Sequence, residues 1–488
     1  MKMVKSLLLG SAAGVAAVAV AQAADLPVKA APVQYVKICT LYGDGFYYIP
    51  GSDTCIRFSG YVRADYGYNV TGARTPHYTG AAGAQDRTVN NFTYRHRGSF
   101  AIDTRTQTAY GTLRTFQQIH VSNETPATGA PEVDVQVSRA FIQWAGFTFG
   151  HADSFTSTEG QLGDSGIRSL HQTQNQHGRG ANGTNQIAYT WQLGNGVTFN
   201  VGADERLISS IGDWGTNSTG VGANPTNRYA GSNAPNPWVA LRVSQAWGRA
   251  MVAAIGNLNQ ADYYNCPGGR TTLCGYPEDE WGWAVVSGIE VKLPMLSPGS
   301  RIGGYFNYSV GATRYGGGNN LNSPGLYGSG NQIAWGVVTD AVFINGSNLE
   351  QTTAWSAGAG FEYFWTRNFS STIYGSYTEV IYNNNVVNGA WFCGGSPGSA
   401  AQSIILQAGV ACDPSFTYWS VGTHHDWFPV PGLRLAVDVM YTNIESEMSG
   451  DTVVLGTKVG ARPSGVYTVK DLGIVSTIFR AQRTWGAD

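Results

Sequence analysis

The sequence predicts an all-β protein: a sixteen-stranded antiparallel barrel that spans a membrane with its apolar face outward. Three observations predict it. Apolar and polar residues alternate with period two from Cys55 almost to the C-terminus, and the connections alternate between short and long. Charged residues make up only 13% of a chain that holds 64 glycines and 12% aromatics. Alternation is the pattern of strands with two distinct faces. A charged share about half that of an ordinary soluble domain suits a sheet whose outer face meets lipid.

The chain opens with Lys2 and Lys5, an apolar run from Leu7 to Ala21, and the small-residue site Ala21-Gln22-Ala23. This is the pattern of a cleaved secretory signal peptide over residues 1–23. Residues 24–54 are expected to form an N-terminal segment on the periplasmic side, 55–485 the barrel, and 486–488 a short extension. Without Lys2 and Lys5 the chain has 28 basic against 32 acidic residues, a net charge of about −4, which gives no basis for binding nucleic acid. Past the signal there is no apolar run long enough for a helical span, so an exported chain of this kind is either soluble or a barrel.

The six cysteines are even in number, as a disulfide framework in an oxidising compartment requires. Proximity pairs Cys39 with Cys55, Cys266 with Cys274, and Cys393 with Cys412. Free or metal-bound thiols are the alternative, although the spacings do not match the usual zinc patterns. No cofactor or metal is expected.

The strands follow in order. In the first, Ile56, Phe58, Val62, Tyr66 and Tyr68 face one way and Arg57, Ser59, Arg63 and Asp65 the other. The second sets Phe92, Tyr94, Phe100 and Ile102 against Arg95, Arg97, Ser99, Asp103 and Arg105, with His96 breaking the apolar side. The third sets Leu113, Ile119 and Val121 against Arg114, Gln118 and His120, with Phe116 and Gln117 as misfits. Late strands are cleaner, as in Leu433 to Tyr441 and Trp355 to Tyr363.

Short connections fall at 107–109, 145–146, 194–196, 247–248, 294–300, 366–367 and 428–432. Long ones fall at about 70–88, 123–132, 151–183, 207–235, 262–280, 315–351, 383–415 and 447–470. Seven short and eight long connections join sixteen strands. Ala334 to Phe343 has strand character of its own, but parity assigns it to the sixth long loop. An even count, with short turns at one end and long loops at the other, is the pattern of a bacterial outer-membrane barrel. Trp144, Phe147, Trp247, Trp365, Phe369 and Trp427 beside the short turns suit its interfacial girdle.

Scale decides which face is inside. A sheet of this size cannot hide its apolar face internally without enclosing a very large void, whereas lipid covers it outside. Barrels of about 16–18 strands leave an aqueous channel. By parity the first four strands then send Arg57, Arg63, Arg95, Arg97, Arg105, Arg114 and Arg139 inward, with Asp65 and Asp103 as the acids. The loop 151–183 carries Asp153, Glu159 and Asp164, which would supply counter-charge if the loop folds inward. Local pairing of the arginines, with the loop on the surface, is the other arrangement. His96 and Gln117 face outward, where a subunit interface would explain them.

Several ordered stretches resemble the alphaproteobacterial porins: PVQYVKICTLYGDGFYYIPGSDTCIRFSGYVRADYGYN, RAFIQWAGFTFGHADSF, AWGVVTDAVF and FEYFWTRNFSSTIYGSY. The likeness covers essentially the whole mature chain. It implies an outer-membrane barrel, usually a homotrimer in lipid, through which ions and small hydrophilic solutes diffuse passively. It also implies that the third long loop folds into the lumen as a constriction, its Asp153, Glu159 and Asp164 facing Arg95, Arg97, Arg105, Arg114 and Arg139. The family's terminal aromatic would here be Trp485, displaced by Gly486, Ala487 and Asp488, a departure that bears on assembly.

Two other classes are testable. A barrel hydrolase would use the dense group His424, His425 and Asp426, but there is no HExxH motif, and the one GxSxG string, Gly394 to Gly398, falls in a long loop and not at the strand-to-helix elbow that chemistry needs. A sugar-preferring channel would need a continuous aromatic track. Tyr61, Phe116, Phe141, Tyr305, Tyr374 and Tyr418 fall on the lumen face by parity without forming one.

Overall fold

The computed structural model describes residues 37–71, 74–78, 87–162, 167–171, 183–207, 209–213, 228–266, 269–317, 325–389, 391, 403–405, 412–455 and 465–486. The signal segment 1–23, Asp164, Cys393 and residues 487–488 lie outside these.

The main sheet has seventeen strands, one of which is the two-residue strand Tyr47–Tyr48; the other sixteen form the barrel. They are β1 (Cys55–Tyr68), β2 (Phe92–Thr108), β3 (Gly111–Glu124), β4 (Glu132–Trp144), β5 (Phe147–Ala152), β6 (Thr184–Gly194), β7 (Val197–Asp204) and β8 (Asn236–Gln245), followed by β9 (Gly248–Asn259), β10 (Glu280–Lys292), β11 (Arg301–Val310), β12 (Thr353–Thr366), β13 (Phe369–Ile381), β14 (Phe416–Val430), β15 (Leu433–Ser446) and β16 (Leu472–Trp485). Each pairs antiparallel with the next, and β16 pairs with β1 to close the ring. The long loops L1 (69–91), L2 (125–131), L3 (153–183), L4 (205–235), L5 (260–279), L6 (311–352), L7 (382–415) and L8 (447–471) share one end, and the short turns the other. Ala145-Gly146 and Asn195-Gly196 turn with positive φ at both residues, the geometry that matches the twist of a hairpin.

Alternation places the faces as expected. Phe58, Val62, Tyr66, Phe92, Tyr94 and Phe100 are exposed on the outside, and Asp65, Arg95 and Asp103 are buried inside. One bulge resets the parity. Gln118 pairs with Arg139 and Ile119 with Val137, so Ser138 is the extra residue. Val133, Val135 and Val137 therefore face lipid, while Arg139, also at an odd position, faces the lumen.

Ala334 to Phe343 lies outside the barrel sheet, as parity required. Gln332–Trp335 joins a five-stranded sheet built from L6, L7 and L8, and Ala341–Phe343 joins a three-stranded sheet with Ile211–Asp213 of L4. Here L6 packs Ile333, Val337 and Val338 against Ala354, Val380, Phe416, Tyr418 and Ile444 on the inner wall at the loop end of β12–β15. Cys39–Cys55 and Cys266–Cys274 are bonded, and Cys412 is also in a disulfide. The Cys39–Cys55 bridge holds Phe46 against the inward guanidinium groups of Arg57 and Arg105, each 4.9 Å from its ring. The N-terminal segment therefore caps the turn end of that wall.

Candidate functional site: the lumen wall and its third loop

The arginines of β1–β4 all point inward, but their partners differ. At the turn end Asp103, 2% exposed, takes three of them: Arg57 at 3.9 Å, Arg105 at 2.9 Å and Arg114 at 3.0 Å. Toward the loop end Asp65 takes Arg95 at 3.1 Å and, across the barrel seam, Arg480 at 2.6 Å. At mid-height Arg63 donates to Gln482 (2.8 Å) and Arg97 to Ser122 (2.7 Å), both neutral. Arg139 bonds Asp153 at the root of L3. Asp153 is one of the three loop acids, and Arg139 one of the five wall arginines, expected to face each other. Glu159 lies in the loop helix α1 (Thr158–Leu162), within electrostatic reach of Arg74 in L1. Burial, then the charges of Arg480 and Arg95, pulls the Arg74 guanidinium down to about 10.

L3 enters the lumen and follows its wall. Phe155 stacks on Trp238 of β8 at 5.3 Å, and Leu162 joins Ala240, Met251, Ala253 and Val286 in one apolar cluster. Gly288 of β10 makes room for the helix: a Cβ there would stand 3.0 Å from both Leu162 and Thr158. Polar bonds hold the same contact, Ser154 to Asp204 (2.9 Å) and Arg242 to Gln161 (2.8 Å).

The loop then reaches β11–β16. Ile167 packs with Tyr305, Tyr374 and Met440, and Leu170 with Val70, Ala436 and Ile478. Arg168 pairs with Asp426 and, at 3.8 Å, with Glu362. Asp438, fully buried, accepts from Ser169 (2.9 Å), from the amide of Leu170 and from Tyr374 (2.6 Å), and faces His171 at 3.0 Å. Beneath the loop an ion-pair ladder continues along the wall: Arg249–Glu290 (2.6 Å), Arg301–Glu290 (2.9 Å), Arg301–Glu362 (2.7 Å) and Arg434–Asp426. The contacts of the described residues of L3 thus run along β5 to β16, and on β1–β3 Arg63 and Arg97 keep part of their surface open at mid-height.

A closed sixteen-strand barrel with a loop folded inside it has its counterpart in known proteins. The model of the Porin subfamily matches residues 25–478. The chain belongs to this family. Porin Omp2b of Brucella abortus (strain 2308) is 31% identical over 318 residues, covering 59% of this chain and 81% of its own. Porin Omp2a of Brucella ovis is 35% identical over 215 residues, covering 40% of this chain and 57% of its own. The solved outer membrane channel DcaP of Acinetobacter baumannii aligns with a TM-score of 0.55 at 16% identity, covering 90% of this chain and 99% of its own, a likeness of fold. The protein is an outer-membrane porin, a water-filled channel for passive diffusion of ions and small hydrophilic solutes.

The residues named for the two alternative chemistries are spread apart in this porin. His424 sits between Asp426 (3.0 Å) and Asp438 (3.3 Å) under L3, whereas His425 faces outward beside Ser371. Tyr305, Tyr374 and Tyr418 are covered by Ile167 and Tyr78, which interrupts an aromatic track. Alternation put Arg434 on the lumen face, but the lumen residues Arg168, Arg242, Arg249, Arg301 and Arg480 were not singled out from the sequence. The apolar inner face of β8–β10 was missed as well. Its signal was present in Met251 to Ile255, where both faces are apolar, as in strands covered on both sides.

Proposed function

We propose that L3 is the constriction of this porin and that solutes pass between it and the inner face of β1–β4. Asp153, Glu159 and Asp164 are the acids of the loop, opposed by Arg57, Arg63, Arg95, Arg97, Arg105, Arg114 and Arg139. The observation that carries this reading is the asymmetry of contact: the described residues of the loop lie on β5–β16, and its root acid Asp153 bonds Arg139 of β4. Charged groups facing each other across a narrow lumen set ion preference and transit. Diffusion without a sugar preference follows from the interrupted aromatics. Deleting Gly160 to Gln176 should raise single-channel conductance in planar bilayers; unchanged conductance would place the constriction elsewhere.

The assembled form is proposed to be a homotrimer in the outer membrane. His96 and Gln117 are exposed on the outer face of β2 and β3, where lipid penalises polar groups. Gln117 borders an outward depression, also lined by Thr104, Thr115, Ala140 and Phe149, that a neighbouring subunit would fill. Closure of reconstituted channels in three equal steps is the expected behaviour, and closure in one step would overturn it.

A further inference from the structure

Arg63 and Arg97 stand directly opposite one another on β1 and β2, both facing the lumen. Like charges in such a cross-strand pair repel, so the arrangement costs stability unless something offsets it. Elsewhere on β1–β3 the fold supplies a carboxylate to each inward arginine, as Asp103 and Asp65 show. Among the described residues Arg63 and Arg97 have no ion pair. Arg63 bonds Gln482 and lies over the ring of Tyr61 at 4.5 Å; Arg97 bonds Ser122 and, at 3.3 Å, His120. These partners hold the guanidinium groups without neutralising them. Both arginines keep part of their surface open, unlike Arg95 and Arg480, which are 4% and 3% exposed. They occupy a stretch that the N-terminal cap and the described residues of L3 do not contact.

We propose that Arg63 and Arg97 form a binding station for small oxyanions, carboxylate or phosphate, and that it gives this porin a preference for anions. A guanidinium presents paired donors matched to two oxygens of such a group, and two of them opposite each other accept an anion from both strands. Basic rings are the usual device of anion- and phosphate-passing pores. Each arginine retains one neutral anchor, so the site is preorganised while its charge stays available to the passing solute.

The test uses the folded, reconstituted full-length mature chain in planar bilayers under a potassium chloride gradient, with inorganic phosphate as the added probe. The wild type should reverse on the anion side, and phosphate should reduce the chloride current. Gln482→Glu, nearly isosteric, places a carboxylate on Arg63, and Ser122→Asp places one beside Arg97. Each should move the reversal potential toward the cation side and raise the half-blocking phosphate concentration about tenfold. Arg63→Gln with Arg97→Gln should abolish the block. A cation-preferring wild type, or a phosphate block unchanged in Gln482→Glu, would overturn the inference. It rests on the reading of L3 only for placing the pair at the narrow part of the channel. The loop deletion tests that reading by conductance, and these variants test this one by reversal potential and block.

Discussion

The inner walls of β1–β3 and of β8–β15 belong to the same barrel and face the same lumen, yet they are built differently. On β1–β3 the inward positions are mostly polar: arginines held by Asp65 and Asp103 at either end, with Ser99, Gln118, His120 and Ser122 between them beside Tyr61. On β8–β10 they are Trp238, Ala240, Met251, Ala253, Ile255, Ala284 and Val286, buried under L3. On β12–β15 they are buried acids and histidines clasped by the loop, with apolar residues above them under L6. The difference teaches that the inner face of a pore is itself divided. Polarity survives where water passes, and burial chemistry takes over where a loop is anchored.

The contrast breaks most severely at Asp438. Asp438→Ala removes the acceptor shared by Ser169, Leu170, His171, Tyr374 and His424. Breaking a buried charge cluster in this way costs about 3–5 kcal/mol. The expected result is a lower denaturation temperature for the barrel, read by heat-modifiable gel mobility, together with noisier open-channel current as L3 loosens. Ser122→Ala on the β1–β3 wall removes one hydrogen bond and should cost no more than about 0.5–1.5 kcal/mol; equal effects would erase the distinction.

Leu162→Ala comes next. The side chain is fully buried in the cluster on β8–β10, and truncation there costs about 2–5 kcal/mol. Because that energy holds a loop rather than the barrel sheet, faster proteolysis within L3 should appear before any change in barrel melting.

The smallest effect concerns L1, which packs over Leu170 through Val70. Burial pulls the His77 imidazole down to about 4 from its ordinary 6.5, against a hydrogen bond to the backbone carbonyl of Val70. A histidine held neutral in the folded loop and protonated in the open one stabilises the loop fully above about pH 6.5. That contribution shrinks as pH falls from there toward about 4. Amide exchange of residues 74–78, corrected for its intrinsic pH dependence, should rise across that window. His77→Phe should flatten the rise.

Much of this was legible from the residues alone. Period-two runs placed the barrel strands, and parity kept Ala334 to Phe343 out of the barrel even though it forms strands in the cap. The inward direction of Arg57, Arg63, Arg95, Arg97, Arg105, Arg114 and Arg139 was legible for the same reason. Partner choice was not. Alternation fixes the face of a residue but not its height relative to a strand far away in sequence, so Arg480 of the last strand could not be matched to Asp65 of the first. The bulge at Ser138 was visible only as a switch of the valines from odd positions to Ala140 and Ile142 at even ones. The second inward loop, L6, was hidden because its apolar residues look like those of any strand until the wall they cover is known.

Asp65 and Arg480 are 415 residues apart and meet at the seam between the first and last barrel strands. Contacts between chain ends carry a large ordering cost before they yield any energy, which makes ring closure the topologically slowest event in the fold. The two charges also act as a check on alignment at that moment. A slip of one residue turns a strand's whole face over, and at this seam it would drive a bare charge into lipid. One-residue slips are thereby penalised at closure, and the pairing of Asp65 with Arg480 favours the native register over a two-residue slip that would part them.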